Sequence, residues 1–64
     1  MKRYNIIFED IFSFATDTKT VELTEAQYTS AVGSMQSKAM VVNKYNDKTG
    51  IRTQLIIKHI TPFN

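Results

Sequence analysis

A helix-start signal in the middle of the chain constrains the fold most strongly. Thr24 and Gln27 have the spacing of a capping box, in which the side chain of each residue accepts a hydrogen bond from the backbone amide of the other. Leu23 and Tyr28 stand where a hydrophobic staple packs across the first helical turn. One amphipathic helix is therefore predicted after Thr24, and its apolar stripe contains Tyr28, Ala31, Val32 and Met35.

The segment before the helix has the pattern of a β-hairpin. Residues 3–14 alternate apolar and polar side chains, which predicts one long strand with a bulge, or two short strands with a kink, near Glu9 and Asp10. Residues 15–18 supply turn chemistry, and residues 19–23 return as a short strand.

The segment after the helix has the pattern of a second hairpin. Residues 39–45 and 51–60 are rich in strand-forming side chains, and the intervening Asn-Asp-Lys-Thr-Gly predicts a tight turn closed by Gly50 in the left-handed region. The expected order is β-β-α-β-β. It corresponds to a small α+β two-layer fold, in which an antiparallel four-stranded sheet carries one helix on one face.

The length of the chain limits both its stability and its chemistry. Its 64 residues allow a single domain, residues 1–64, and a core that buries only about 60% of the unfolded surface. The sequence contains no cysteine, so neither a disulfide nor a thiolate zinc site is available. No apolar run reaches the roughly 18 residues of a membrane span, and the first residues lack the apolar segment of a secretory signal. We expect a cytoplasmic protein without membrane contact, located in the host cytoplasm if it is viral.

No residue pattern of this chain is typical of an enzyme. His59 has no carboxylate or nucleophile at a diagnostic spacing, and Glu9 and Asp10 would point to opposite faces of a regular strand. The two glycines do not form a phosphate-binding loop. We therefore expect no catalytic residue, no cofactor and no metal site.

The predicted strands carry apolar side chains on both faces. In residues 51–60, Leu55 and Ile57 share one parity, whereas Ile56 and Ile60 take the other. Such strands normally lie between two covering layers, and one helix covers only one face. Because two-fold homodimers are the commonest soluble oligomers, we expect a second copy or another protein on the uncovered face. The expected protein interface consists of Ile7, Ile11, Val41, Tyr45, Ile56 and Ile60.

A single-stranded nucleic-acid interface is the alternative function. Residues 35–64 carry five cations and one acid, whereas residues 1–34 carry three cations and five acids. Proteins that bind single strands display aromatic side chains among cations on a sheet. Lys44 and Tyr45 are adjacent in a strand and should point to opposite faces, which weakens this alternative. The expected contacts are Lys44, Tyr45, Arg52 and Lys58.

The remaining aromatic residues are interpreted mainly as core. Phe8, Phe12 and Phe14 share a parity with Ile6 and are expected to be buried. A protein-binding role for some apolar residues is the second interpretation, and the candidate anchors for it are Phe12, Phe14, Phe63, Met35 and Met40.

The chain also resembles a broad class of small proteins. In its size, its lack of cysteine and its content of Asn, Ile, Lys and Thr, it is similar to accessory proteins of phages and mobile elements. Many of those bind and inhibit a host enzyme, so the resemblance implies a non-enzymatic module that modulates or inhibits a host protein. The subclass that mimics DNA is disfavoured, because mimicry needs dense carboxylates and the chain has six acids against eight lysines and arginines.

Overall fold

Two antiparallel hairpins join side by side into one sheet, and a single helix connects them. The computed structural model describes residues 1–63. The strand order across the sheet is β2-β1-β4-β3, and all neighbouring strands are antiparallel. The predicted α+β fold class is therefore confirmed. The elements are β1 (Lys2–Asp10), β2 (Thr16–Leu23), α1 (Glu25–Ser37), β3 (Met40–Asn46) and β4 (Ile51–Pro62).

The helix begins as the sequence predicts. The Thr24 hydroxyl oxygen accepts from the Gln27 amide at 3.2 Å, and Gln27 Oε1 accepts from the Thr24 amide at 2.9 Å. The helix ends before Lys38, whose φ of 57° lies in the left-handed region. The predicted turn after β3 is also present, since the Gly50 amide donates to the Asn46 carbonyl at 2.8 Å and Gly50 has φ 70°.

The pairing register determines which side chains face the helix. The Tyr4 ring stacks on the Tyr28 ring of α1, with the ring centroids 4.7 Å apart. The side chains of β1 that share the parity of Tyr4 therefore lie on the helix-covered face, together with Ile6. Directly opposed residues of neighbouring strands share a face, so the register extends this assignment across the sheet. We call the other side of the sheet the open face.

A β-bulge in β4 changes the expected distribution of apolar side chains. His59 pairs with Ile7 and Ile57 pairs with Phe8, so Lys58 is an extra residue in β4. The insertion reverses the alternation, and it places Ile60 on the helix-covered face together with Ile57. The expectation that Ile60 shares a face with Ile56 is therefore wrong. The open face is more polar than the uninterrupted alternation predicts.

The bounds of the strands also differ from the prediction. β1 ends at Asp10, β2 already begins at Thr16, and β4 continues to Pro62. The turn of the first hairpin lies at residues 11–15 rather than 15–18, and the bulge of the β1–β4 pairing falls at Ile7/Phe8 rather than at Glu9-Asp10. The early turn arises from the Asp10 side chain. Its carboxylate accepts hydrogen bonds from the Phe12 and Ser13 amides, and this pattern favours a turn over continuation of the strand.

The core is thin. Among residues 1–63, Ile6 and Ile57 are the two buried side chains, each 5% exposed. The helix has 13 residues and is about 20 Å long, whereas the 12 residues of β4 extend over about 40 Å. The helix packs mainly on β4 and is about half as long as that strand.

The two-residue core predicts very unequal effects of truncating isoleucines. Ile57→Ala should lower the free energy of unfolding by about 3 kcal/mol, because it removes packed methyl groups and leaves a cavity. Ile51→Ala is the matched control, since Ile51 is 61% exposed. Its cost should stay within about 0.5 kcal/mol. Urea unfolding followed by circular dichroism measures both, and equal losses would contradict the assignment of the core.

Candidate protein interface

The loop between β1 and β2, residues 11–15, is anchored by one carboxylate. We call it the aromatic loop. Asp10 Oδ1 accepts from the Phe12 amide at 2.8 Å and from the Ser13 amide at 3.1 Å. The Asp10 carbonyl accepts from the Phe14 amide at 2.8 Å. These bonds fix the first half of the loop to the end of β1.

The other backbone amides of the aromatic loop are bonded as well. The Ile11 amide donates to the Gln54 carbonyl of β4 at 3.1 Å, and the Ala15 amide donates to the Ser13 hydroxyl at 3.3 Å. The Asp10 amide closes the loop by donating to the Ala15 carbonyl at 2.9 Å. Since all five loop amides donate within the protein, the loop holds a defined conformation.

The aromatic loop presents two phenylalanine rings to solvent. Phe12 is 64% exposed and Phe14 is 72% exposed. The expectation that both belong to the core is therefore wrong, whereas Phe8 on the helix-covered face is half-buried. Phe14 also has φ 62°, in the left-handed region that favours glycine or asparagine. A bulky residue there costs about 1 kcal/mol of backbone strain.

The segment that carries the aromatic loop is acidic. Residues 4–18 contain three carboxylates, Glu9, Asp10 and Asp17, and no lysine or arginine. Lys58 Nζ lies 3.3 Å from Glu9 Oε2 across the sheet and neutralises that carboxylate. The second hairpin, with three cations in residues 44–52, lies at the same end of the sheet, so the loop stands between an acidic and a basic segment.

A second apolar surface lies on the open face. Met40 is paired with Ile56 and is 47% exposed, and Tyr45 on the same face of β3 is 59% exposed. Ile56 and Ile7 are half-buried on the open face of β4 and β1. We call these four residues the open-face patch. It contains three of the six predicted interface residues, Ile7, Tyr45 and Ile56.

The other three predicted interface residues lie elsewhere. Ile11 belongs to the aromatic loop and is half-buried. Val41 is the extra residue of a bulge between Met40 and Val42, and it is 40% exposed. Ile60 lies on the helix-covered face. The structure therefore does not bring the six residues together on one surface.

The predicted nucleic-acid contacts are also divided. The Arg52 guanidinium lies 5.4 Å from the centroid of the Tyr45 ring, and Arg52 Nη1 donates to Asn43 Oδ1 at 3.0 Å. Lys44 pairs with Thr53 on the helix-covered face, away from this pair. Lys58 is on the open face but is bonded to a carboxylate. Tyr45 and Arg52 alone form a joint basic and aromatic surface, which is small for single-stranded binding.

A groove lies at the end of the sheet farthest from the aromatic loop, and we call it the end groove. Its volume is about 640 Å³. The stacked rings of Tyr4 and Tyr28, with planes 21° apart, form part of its wall. The Phe63 amide donates to the Arg3 carbonyl at 3.0 Å, which positions Phe63 at its rim. The lining residues are Lys2, Arg3, Tyr4, Tyr28, Pro62 and Phe63.

The described part of the chain offers few groups for other chemistry. His59 is exposed opposite Ile7, and residues 1–63 contain no cluster of three metal-ligating side chains. α1 is too short and too polar to cross a lipid bilayer.

Comparison with protein-family models, with curated proteins and with solved structures finds no match to this chain. The alternation of apolar side chains did not predict the aromatic loop, because Phe12 and Phe14 continue the alternation of β1. The one residue that indicates a loop here is Asp10, whose side chain favours a turn over a strand.

Relief of backbone strain provides a test of the loop conformation. At a concentration where the protein is monomeric, Phe14→Gly should raise the free energy of unfolding by roughly 0.5–1 kcal/mol, because glycine adopts the left-handed region freely and the ring contributes little packing within its own chain. Lys38→Gly is the matched control at the other non-glycine residue with φ above zero, and it should give a similar gain. Urea unfolding midpoints measure both. A loss of stability in Phe14→Gly alone would contradict the exposed position of the ring.

The Asp10 carboxylate makes the stability of the loop dependent on pH. Hydrogen bonds from the Phe12 amide, and then from the Ser13 amide, lower the pKa of Asp10 below its ordinary 3.8. A lowered pKa in the folded state contributes stability above the unfolded pKa, and this contribution is lost as the pH falls through the folded value. The stability difference between wild type and Asp10→Asn should therefore shrink as the pH is lowered from above the ordinary pKa of 3.8 to below it. Urea unfolding across this range measures it, and a difference independent of pH would contradict the role of the charge.

Proposed function

We propose that the protein is a small non-enzymatic protein-binding module that acts as a homodimer. The observation that carries this proposal is the contrast between two buried side chains and a group of exposed large apolar ones. Exposed apolar side chains that are grouped together, as Phe12 and Phe14 are in the aromatic loop, mark sites of interaction. The exposed side chains are Met1, Phe12, Phe14, Met40, Val41, Tyr45, Ile51 and Phe63.

The dimensions of the molecule support the same proposal. Its accessible surface is 4880 Å², whereas a monomeric protein of 7.3 kDa is expected to have about 4,200 Å². Its radius of gyration is 12.6 Å against about 10.7 Å expected for 64 residues. Both values reflect an elongated molecule, 37 × 22 × 18 Å, whose open sheet leaves surface that an additional chain can cover.

The open-face patch is the proposed site for a partner of a different sequence. Met40 and Ile56 pair directly at its centre. Asn43 and Gln54 separate this pair from Tyr45, and Glu9, bonded to Lys58, stands beside Ile56. The patch therefore mixes apolar and polar side chains, as the interfaces of non-obligate complexes do. The size and composition of the chain support an accessory protein of a phage or mobile element. Such a protein would modulate or inhibit a host protein in the cytoplasm.

A substitution in the open-face patch tests this site. Met40→Asp should abolish capture of a partner protein from a lysate of the source cells, because it buries a charge at an apolar interface. Ile56→Asp should do the same and provides a second variant. Ser30→Asp is the control, since Ser30 is exposed on α1, on the opposite side of the sheet from the patch. Circular dichroism checks that each variant is folded.

The capture experiment is carried out with and without nuclease. A protein that survives nuclease treatment and is lost with Met40→Asp supports the proposal. Loss of all captured material on nuclease treatment would instead support the nucleic-acid alternative, with Tyr45 and Arg52 as its contacts. Unchanged capture by folded Met40→Asp and Ile56→Asp would contradict the assignment of the open-face patch.

A further inference from the structure

The aromatic loop and the end groove are complementary surfaces at opposite ends of the molecule. β1 begins at Lys2 in the groove and ends at Asp10 before the loop, and its nine residues separate the two by about 30 Å. The loop therefore cannot reach the groove of its own chain. A second copy of the chain can supply the missing surface.

The first complementarity is apolar. The loop presents two phenyl rings that are 64% and 72% exposed. The groove offers about 640 Å³ of space beside the stacked Tyr4 and Tyr28 rings, with Phe63 45% exposed at its rim. Aromatic rings associate favourably in edge-to-face and offset arrangements, so rings are suitable occupants of this space.

The second complementarity is one of charge. The loop lies in a segment, residues 4–18, with three carboxylates and no lysine or arginine. The groove contributes Lys2 and Arg3. Arg3 Nε is 3.5 Å from Glu22 Oε1, whereas Lys2 makes no ion pair within residues 1–63. Asp17, just after the loop, likewise makes no ion pair within residues 1–63, so it can meet Lys2 when the loop of one copy enters the groove of another.

The aromatic loop is already fixed in its exposed form within a single chain. All five of its backbone amides are hydrogen-bonded within the chain, so association does not have to order it. Phe14 occupies a left-handed position where glycine would relieve strain, so the ring is not required by the turn.

We propose that the aromatic loop of one copy inserts into the end groove of a second copy, and that the second copy reciprocates. Two copies lying antiparallel about a two-fold axis make both contacts at once. This geometry closes the assembly at two chains, since a contact between two different patches otherwise continues into an open chain. The inference rests on the homodimer of the proposed function and names its contact surfaces. The open-face patch is left free for the partner protein.

Two variants and their mixture test the inference. The loop variant combines Phe12→Ser with Phe14→Asn, and asparagine tolerates the left-handed conformation. The groove variant combines Lys2→Glu with Phe63→Ser. Sedimentation equilibrium of the wild type should give about twice 7.3 kDa at tens of micromolar. Each variant should weaken dimerisation at least about tenfold, as the loss of central interface residues does.

An equimolar mixture of the loop variant and the groove variant provides the sharper result. The loop variant retains an intact groove and the groove variant retains an intact loop, so a mixed dimer makes one of the two contacts. The mixture should therefore associate more tightly than either variant alone. Ile51→Ser is the matched control, because it removes an exposed apolar side chain outside both surfaces. It should leave the dimer constant unchanged within about twofold.

The outcomes separate this inference from the function on which it rests. If the wild type is a dimer and both folded variants dimerise equally well, the loop-in-groove contact is overturned and the homodimer stands. A mixture that associates no better than its components also overturns the contact. A wild type that grows beyond two chains with concentration overturns the reciprocal closure. A monomeric wild type at these concentrations overturns both the contact and the homodimer, while partner capture by the open-face patch remains a separate measurement.

Discussion

The burial of Ile6 and Ile57 on the helix-covered face is the constraint on which the rest of the structure depends. Among the described residues they are the only buried side chains, because one helix of 13 residues cannot cover a sheet whose longest strand has 12. A chain of this size has little stability in reserve. Additional cover from another chain would therefore contribute a large fraction of its total stability.

Local hydrogen bonds compensate for the thin core by fixing the connections. The capping box holds the start of the helix, Asp10 and its neighbours hold the aromatic loop, and Gly50 closes the second hairpin. Each of these devices acts over a few residues and needs no deep core. They allow exposed rings to be presented in defined positions, which is what binding surfaces require.

Several elements of the fold can be predicted from the sequence, and the binding surfaces only in part. The helix start at Thr24, the turn after Asn46 and the α+β class follow from local patterns, and the structure confirms them. Tyr45 and Ile56, two of the predicted interface residues, both lie on the open face. Phe12 and Phe14 are missed, because alternation continues through a segment that the Asp10 side chain has already turned out of the sheet.

The sequence by itself determined the order of the elements and the chemistry of their connections, since capping and turn formation depend on residues that are close along the chain. Only the tertiary structure decided which apolar side chains are covered. Ile60 lies beneath the helix because an extra residue, Lys58, reverses the alternation of β4, and that insertion is defined only by pairing with β1. The exposure of the loop and the groove likewise depends on how far one helix extends over the sheet. The extent of the sheet that the helix covers depends on how the elements pack together, so it cannot be read from any single segment of the sequence.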